Sequence, residues 1–82
     1  MKYFEVILAR DRKGKTVRSF RAPVDSELVK SGAQKVYTSY GRTIVVDFKT
    51  GKAQFWMAGT PGDRKTEDII YHDDLEGCCG EK

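Results

Sequence analysis

The segment "RTIVVDFKTGKAQFWM", residues 42 to 57, is the basis of the predicted fold. Two apolar segments flank a polar turn with a glycine, a pattern typical of a β-hairpin. A two-residue turn at Thr50 and Gly51 predicts three apolar pairs on one face: Phe48 with Ala53, Val46 with Phe55, and Ile44 with Met57. Because side chains alternate across a strand, Trp56 is expected on the opposite face, beside Val45.

A first hairpin is predicted on either side of "DRKGK", residues 11 to 15. A two-residue turn at Lys13 and Gly14 would break the apolar face of its strands. A three-residue loop from Arg12 to Gly14, with Gly14 left-handed, keeps that face intact. This register predicts four cross-strand pairs: Val6 with Phe20, Phe4 with Ala22, Glu5 with Arg21, and Asp11 with Lys15.

The remaining segments predict one short helix and further strands. "PVDSELVKSG", residues 23 to 32, has an N-terminal cap at Asp25 and a C-terminal stop at Gly32. "QKVYTSY", residues 34 to 40, alternates as a strand does. Pro61 and Gly62 suit the centre of a type II turn. "EDIIYH", residues 67 to 72, is expected as a final strand at a sheet edge.

Together these elements predict an α+β, mostly β fold. We expect an antiparallel curved sheet or small open barrel of about five to six strands, with one short helix after the first hairpin. Residues 1–72 are expected to form a single β-rich domain. Residues 73–82 are acidic and aperiodic, and we expect them to form a flexible tail.

The charge of the chain is divided unevenly along its length. The net charge is +3, yet residues 1–65 carry 14 Lys and Arg against 6 Asp and Glu, while residues 66–82 carry 1 against 6. A basic body attracts nucleic acid, anionic membrane or an acidic protein surface, and the acidic tail opposes all three unless it points away. The longest apolar run, Val6 to Ala9, is too short to span a membrane, and Cys78 and Cys79 are adjacent near the C-terminus. We therefore expect a cytoplasmic protein with no membrane partner.

The sequence predicts no enzyme, metal site or cofactor. Catalysis requires groups in fixed geometry, and the only cluster of suitable residues lies in or beside the tail: His72, Asp73, Asp74, Cys78 and Cys79. Adjacent cysteines lack the gap that lets two sulfurs converge on one zinc ion. No glycine-rich segment has the spacing of a phosphate-binding loop.

Two groups of residues are candidates for binding a partner. The first is a basic loop suited to docking on carboxylates or phosphates: Arg10, Arg12, Lys13 and Lys15. The second is an apolar anchor formed by Trp56 with Tyr37 or Tyr40, because aromatic residues are enriched in interface hot spots.

We therefore expect a small non-enzymatic regulator or inhibitor that binds and blocks or modulates a larger protein or nucleoprotein complex with an acidic surface. In size and lack of motifs the chain is comparable to the small inhibitors encoded by phages and mobile elements. The alternative is a nucleic-acid-binding module that uses the same basic, aromatic-bearing sheet face. The sequence leaves the identity of the partner and the oligomeric state open.

Overall fold

A computed structural model describes residues 2–73, which are mostly β-structure with one short α-helix. The expected tail, 73–82, falls outside the described residues except for Asp73. A short 3-10 helix occupies Pro61–Asp63. The other elements, in chain order, are β1 (Tyr3–Arg10), β2 (Thr16–Pro23), α1 (Ser26–Ser31), β3 (Gln34–Ser39), β4 (Arg42–Asp47), β5 (Lys52–Met57), β6 (Lys65–Asp68) and β7 (Ile70–His72).

The seven strands form two antiparallel sheets. One sheet has the order β2-β1-β7 and the other has the order β3-β4-β5-β6. The expectation of one curved sheet or open barrel of five to six strands is therefore wrong. The chain divides correspondingly into two compact units. One is Asp25–Asp68, and the other combines the segment that ends at Val24 with the segment that begins at Ile69. Within residues 2–73 no helix has the length and apolar character needed to cross a membrane.

Strand β1 is the centre of the three-stranded sheet and is buried along six consecutive residues, Tyr3 to Leu8. All four predicted pairs of the first hairpin are confirmed. Three of them, including Val6 with Phe20, join β1 to β2, and in the loop the Asp11 N–H donates to the Lys15 carbonyl. Gly14 is left-handed, with a φ of 83°. The register shifts near Leu8 and returns at Arg10, so a bulge interrupts an otherwise regular ladder.

Helix α1 has both of the predicted caps. The Asp25 carboxylate accepts a hydrogen bond from the Glu27 N–H at 2.9 Å. Gly32 is left-handed, and the N–H groups of Gly32 and Ala33 donate to the carbonyls of Val29 and Leu28, which completes a Schellman motif. The helix is short because its stop signal follows soon after its start signal.

The β4–β5 hairpin keeps the predicted faces but not the predicted register. Its loop has four residues instead of two, and Asp47 pairs with Lys52. The pairs on the buried face are consequently Val46 with Ala53 and Ile44 with Phe55, while Trp56 stands opposite Thr43 rather than beside Val45. The Asp47 carboxylate causes this change because it accepts from the backbone N–H groups of Lys49 and Thr50 and so stabilises the longer loop.

The segment predicted as one final strand is divided between the two sheets. β6 pairs with β5, and after the buried Ile69 the chain continues as β7, which pairs with β1. Both strands lie at sheet edges. The predicted type II turn is also wrong, because Gly62 lacks the positive φ that such a turn requires and forms part of the 3-10 helix.

Phe55 is 3% exposed on the buried face of the four-stranded sheet, where its cross-strand neighbour is Ile44. We predict that Phe55→Ala lowers the free energy of unfolding by about 3 to 5 kcal/mol through lost burial and an unfilled cavity. Met57→Ala is the control because Met57 is 48% exposed in the same strand. Urea unfolding monitored by circular dichroism measures both variants, and equal losses would contradict the assigned core.

Candidate functional site

The basic loop is held in a fixed backbone conformation by one acidic residue. The Asp11 carboxylate accepts hydrogen bonds from the N–H groups of Lys13 and Lys15, each at 2.9 Å. The four predicted basic side chains at this end of the hairpin are all exposed: Arg10, Arg12, Lys13 and Lys15. The structure therefore presents positive charge on an ordered turn.

The outward face of the four-stranded sheet carries Trp56, which is half-buried. The guanidinium of Arg64 lies over the Trp56 ring, 4.6 Å from its centroid, and donates a hydrogen bond to the Gln54 side-chain oxygen at 3.2 Å. Arg64 follows the 3-10 helix and precedes β6. This contact combines an aromatic ring with a delocalised cation on a single surface.

A groove of about 350 Å³ lies on this same face. Its walls come from the four strands and the β4–β5 loop: Gln34, Val45, Asp47, Thr50, Lys52, Gln54 and Thr66. The lining is balanced in charge, because Asp47 is close to Lys52 and the Lys52 ammonium lies 2.6 Å from the Asp68 carboxylate. The backbone N–H of Lys49 and the amide of Gln34 lower the pKa of Asp47, so its carboxylate is ionised at neutral pH.

The two candidate tyrosines do not share the face of Trp56. Tyr37 stands opposite Ile44 and therefore lies on the buried side, where burial and the Asp25 charge raise its pKa. Tyr40 occupies the β3–β4 turn with a φ of 53° and is 51% exposed. Its neighbour in the turn is Gly41, so the pair forms a tight two-residue hairpin.

The structure also shows a cluster that the sequence did not suggest as a group, around the buried carboxylate of Glu5. Arg21, the predicted partner, places its Nη2 atom 3.5 Å from Oε2 of Glu5. The ring nitrogen Nε2 of His72 lies 2.9 Å from Oε1 of the same carboxylate. The Tyr3 ring stacks on the His72 ring at 4.6 Å. The cluster thus connects all three strands of the smaller sheet, because these residues lie on β1, β2 and β7.

The environment of Glu5 favours its ionised form. Burial by itself raises the pKa of this carboxyl, but hydrogen bonds with Ser19 and His72 and the charge of Arg21 together bring it below its usual value. A buried carboxylate with this many partners is a structural link between strands. Among residues 2–73, no three or more His, Cys, Asp and Glu side chains are arranged to hold a metal ion.

Neither protein-family models, nor curated proteins, nor solved structures give a significant match to the chain. Two surfaces of the described residues carry groups suited to binding a partner: the basic loop, and the outward sheet face with Trp56 and Arg64. They belong to different units of the chain.

The Glu5 cluster generates a prediction about pH. Because the folded-state pKa of Glu5 lies below the unfolded value of about 4.3, its stabilisation is present above that value and is lost as pH falls through the folded pKa. We predict that Glu5→Gln lowers the free energy of unfolding by about 1.5 to 3 kcal/mol at pH 7. This difference should shrink as the pH falls below about 4.

Urea unfolding of the wild type and the variant between pH 3 and pH 7 measures this difference. The control is Glu27→Gln, which removes an exposed carboxylate from the first turn of α1. A destabilisation by Glu5→Gln that is the same at every pH would show that shape, and not charge, explains the effect.

Proposed function

We propose that the protein is a small non-enzymatic regulator that binds a larger protein or nucleoprotein complex and blocks or modulates it. The contact surface is the outward face of the four-stranded sheet. The observation that carries the proposal is the stacked pair of Trp56 and Arg64 on that face. Tryptophan and arginine are among the residues most enriched in interface hot spots.

The surroundings of this pair have the composition expected of an interface. Val36 is 59% exposed and stands opposite Val45, so an apolar strip accompanies the tryptophan on the outward face. Lys52 and Asp68 form an exposed ion pair on the same face. An apolar centre beside a polar rim is the usual organisation of a protein–protein interface.

The face is also well ordered before any partner binds. Strands β3 to β6 form a continuous ladder of backbone hydrogen bonds, and Arg64 is held by both Trp56 and Gln54. A rigid surface loses less conformational entropy on association than a loop does, which favours affinity. The recognition residues are therefore preorganised.

The basic loop contributes attraction toward an acidic partner surface. Arg12, Lys13 and Lys15 are exposed on a backbone fixed by Asp11. Charges of this kind accelerate encounter and orient the partner more than they add to final affinity. We propose a cytoplasmic role of this kind, comparable to that of the small inhibitors of phages and mobile elements.

Binding of nucleic acid is the second candidate function, and the exposed basic loop favours it. The outward sheet face favours protein for two reasons. Arg64 covers one side of the Trp56 ring, where a base would stack. The same face carries the carboxylates of Asp47 and Asp68, which repel phosphates.

We predict that the tagged protein recovers a stoichiometric protein partner from a lysate of its native host, and that nuclease treatment does not release this partner. Identification of proteins and nucleic acids in treated and untreated halves measures the result. Recovery of nucleic acid alone, with every protein lost on digestion, would contradict the regulator and favour the nucleic-acid-binding module.

We further predict that Trp56→Ala weakens binding to that partner by at least about 30-fold, the effect of losing a hot-spot residue. Tyr40→Ala is the matched control because it removes an exposed aromatic from a turn of the same unit. Isothermal titration calorimetry at two salt concentrations measures both variants. A small effect of Trp56→Ala together with a steep loss of affinity in salt would assign recognition to the basic loop instead.

A further inference from the structure

Strand β3 leaves one side of its backbone open. It lies at an edge of the four-stranded sheet and, among residues 2–73, pairs only with β4. The Phe48 N–H donates to the Ala33 carbonyl at 3.0 Å, so every second residue from Ala33 onward directs its N–H and C=O toward β4. The intervening residues direct theirs away from the sheet: Gln34, Val36 and Thr38.

The other sheet edges carry features that discourage strand pairing. β2 ends in Pro23, which has no N–H to donate, and its register with β1 is irregular. β6 has four residues, three of them charged, and β7 has three residues. β3 has six residues in unbroken register, without proline or bulge, and its Val36 is 59% exposed. Natural proteins rarely leave such an edge unprotected unless it has a partner.

We propose that this partner is a second copy of the chain, with the two β3 strands paired antiparallel about a two-fold axis at Val36. The outward N–H and C=O groups of each strand then meet those of the other, forming about six backbone hydrogen bonds. Val36 lies beside Val36 of the second copy, and Gln34 lies opposite Thr38 of that copy. The interface is isologous, as two-fold dimers require.

The side chains favour this register over its neighbour. On the other face of the strand, Lys35 stands opposite Tyr37 of the second copy, and the Lys35 ammonium already lies 5.3 Å from the Tyr37 ring within one chain. A slip of two residues in one direction would place Lys35 opposite Lys35, and directly opposed like charges destabilise a strand pair. A slip in the other direction would place Val36 opposite Thr38 and so lose the apolar Val36 pair. The strand is therefore complementary to itself in backbone hydrogen bonding and packing, and this register does not oppose the two lysines directly.

Pairing would join two four-stranded sheets into one continuous sheet. Its outward face would carry the Val36 and Val45 strips of both copies side by side, since these residues are cross-strand neighbours. The inference rests on the β3 edge and not on Trp56 or Arg64, and it shares only Val36 with the surface of the proposed function.

The first test is sedimentation velocity of the full chain over a range of concentrations. We expect the 9.3-kDa chain to associate to twice its mass. Val36→Lys places like charges across the axis and should weaken dimerisation by about fivefold or more. Val17→Lys is the matched control, because Val17 is also 59% exposed on an edge strand, and it should leave the dimer intact.

A second test fixes the register and does not depend on the lysine variants. In a background with Cys78→Ser and Cys79→Ser, Val36→Cys should form a disulfide-linked dimer on mild oxidation, because the paired Cα atoms lie about 5.5 Å apart. Thr38→Cys should not, since the two copies of this residue are separated by about 14 Å along the strands.

Three results would overturn the proposal. The first is a chain that stays monomeric at concentrations up to about 1 mM. The free energy of dimerisation would then be weaker than about 4 kcal/mol. The second is equal weakening by Val17→Lys and Val36→Lys, or equal crosslinking at Val36 and Thr38. The third is a monomer whose β3 edge pairs only with a strand of a different protein.

Discussion

The pairing of β4 with β5 at the centre of the four-stranded sheet depends on the hydrogen bonds that the Asp47 carboxylate accepts in the β4–β5 loop. Its oxygen binds the N–H groups of Lys49 and Thr50, and the Gly51 N–H donates to the Asp47 carbonyl with Gly51 left-handed. These contacts fix a loop of four residues and therefore the register of the two strands. A slip of one residue would move every side chain of a strand to the opposite face.

The register determines which residues of β4 and β5 are paired, whereas the alternation of apolar and polar residues determines which face is buried. Ile44 and Phe55 are directed to the core, and Trp56 is directed outward, where Arg64 reaches it from the segment before β6. In the other unit, Glu5 has a comparable role, because its contacts join the first, second and last strands. One polar side chain in each unit thus specifies how apolar strands are arranged.

Local sequence signals predicted the local structure well. The first hairpin and both caps of α1 depend on residues close together in the chain, such as Gly14, Asp25 and Gly32. The second hairpin was predicted with the correct faces but a wrong register, because hydrophobic alternation alone does not distinguish a two-residue turn from a loop stabilised by Asp47. Pro61 and Gly62 were similarly compatible with more than one turn.

Contacts between distant residues could not be predicted. The segment from Lys65 to His72 has two partners far apart in sequence, β5 and β1, and nothing in its composition marks the division at Ile69. The cluster of Glu5 with His72 and the stacking of Arg64 on Trp56 depend on that pairing and on the turn before it. Of the candidate binding residues, the side chains of the basic loop and Tyr40 are exposed and Trp56 is half-buried on the outward face, whereas Tyr37 lies on the buried side.

The proposed function places recognition on the sheet face that carries Trp56. Trp56 is the single tryptophan of the chain, so incorporation of 5-fluorotryptophan gives one ¹⁹F NMR resonance that an unlabelled partner does not obscure. Its shift between H₂O and D₂O reports solvent contact. We predict a clear solvent shift in the free protein and its loss in the complex with the partner. A solvent shift of the same size in the free protein and in the complex would show that the partner binds another surface.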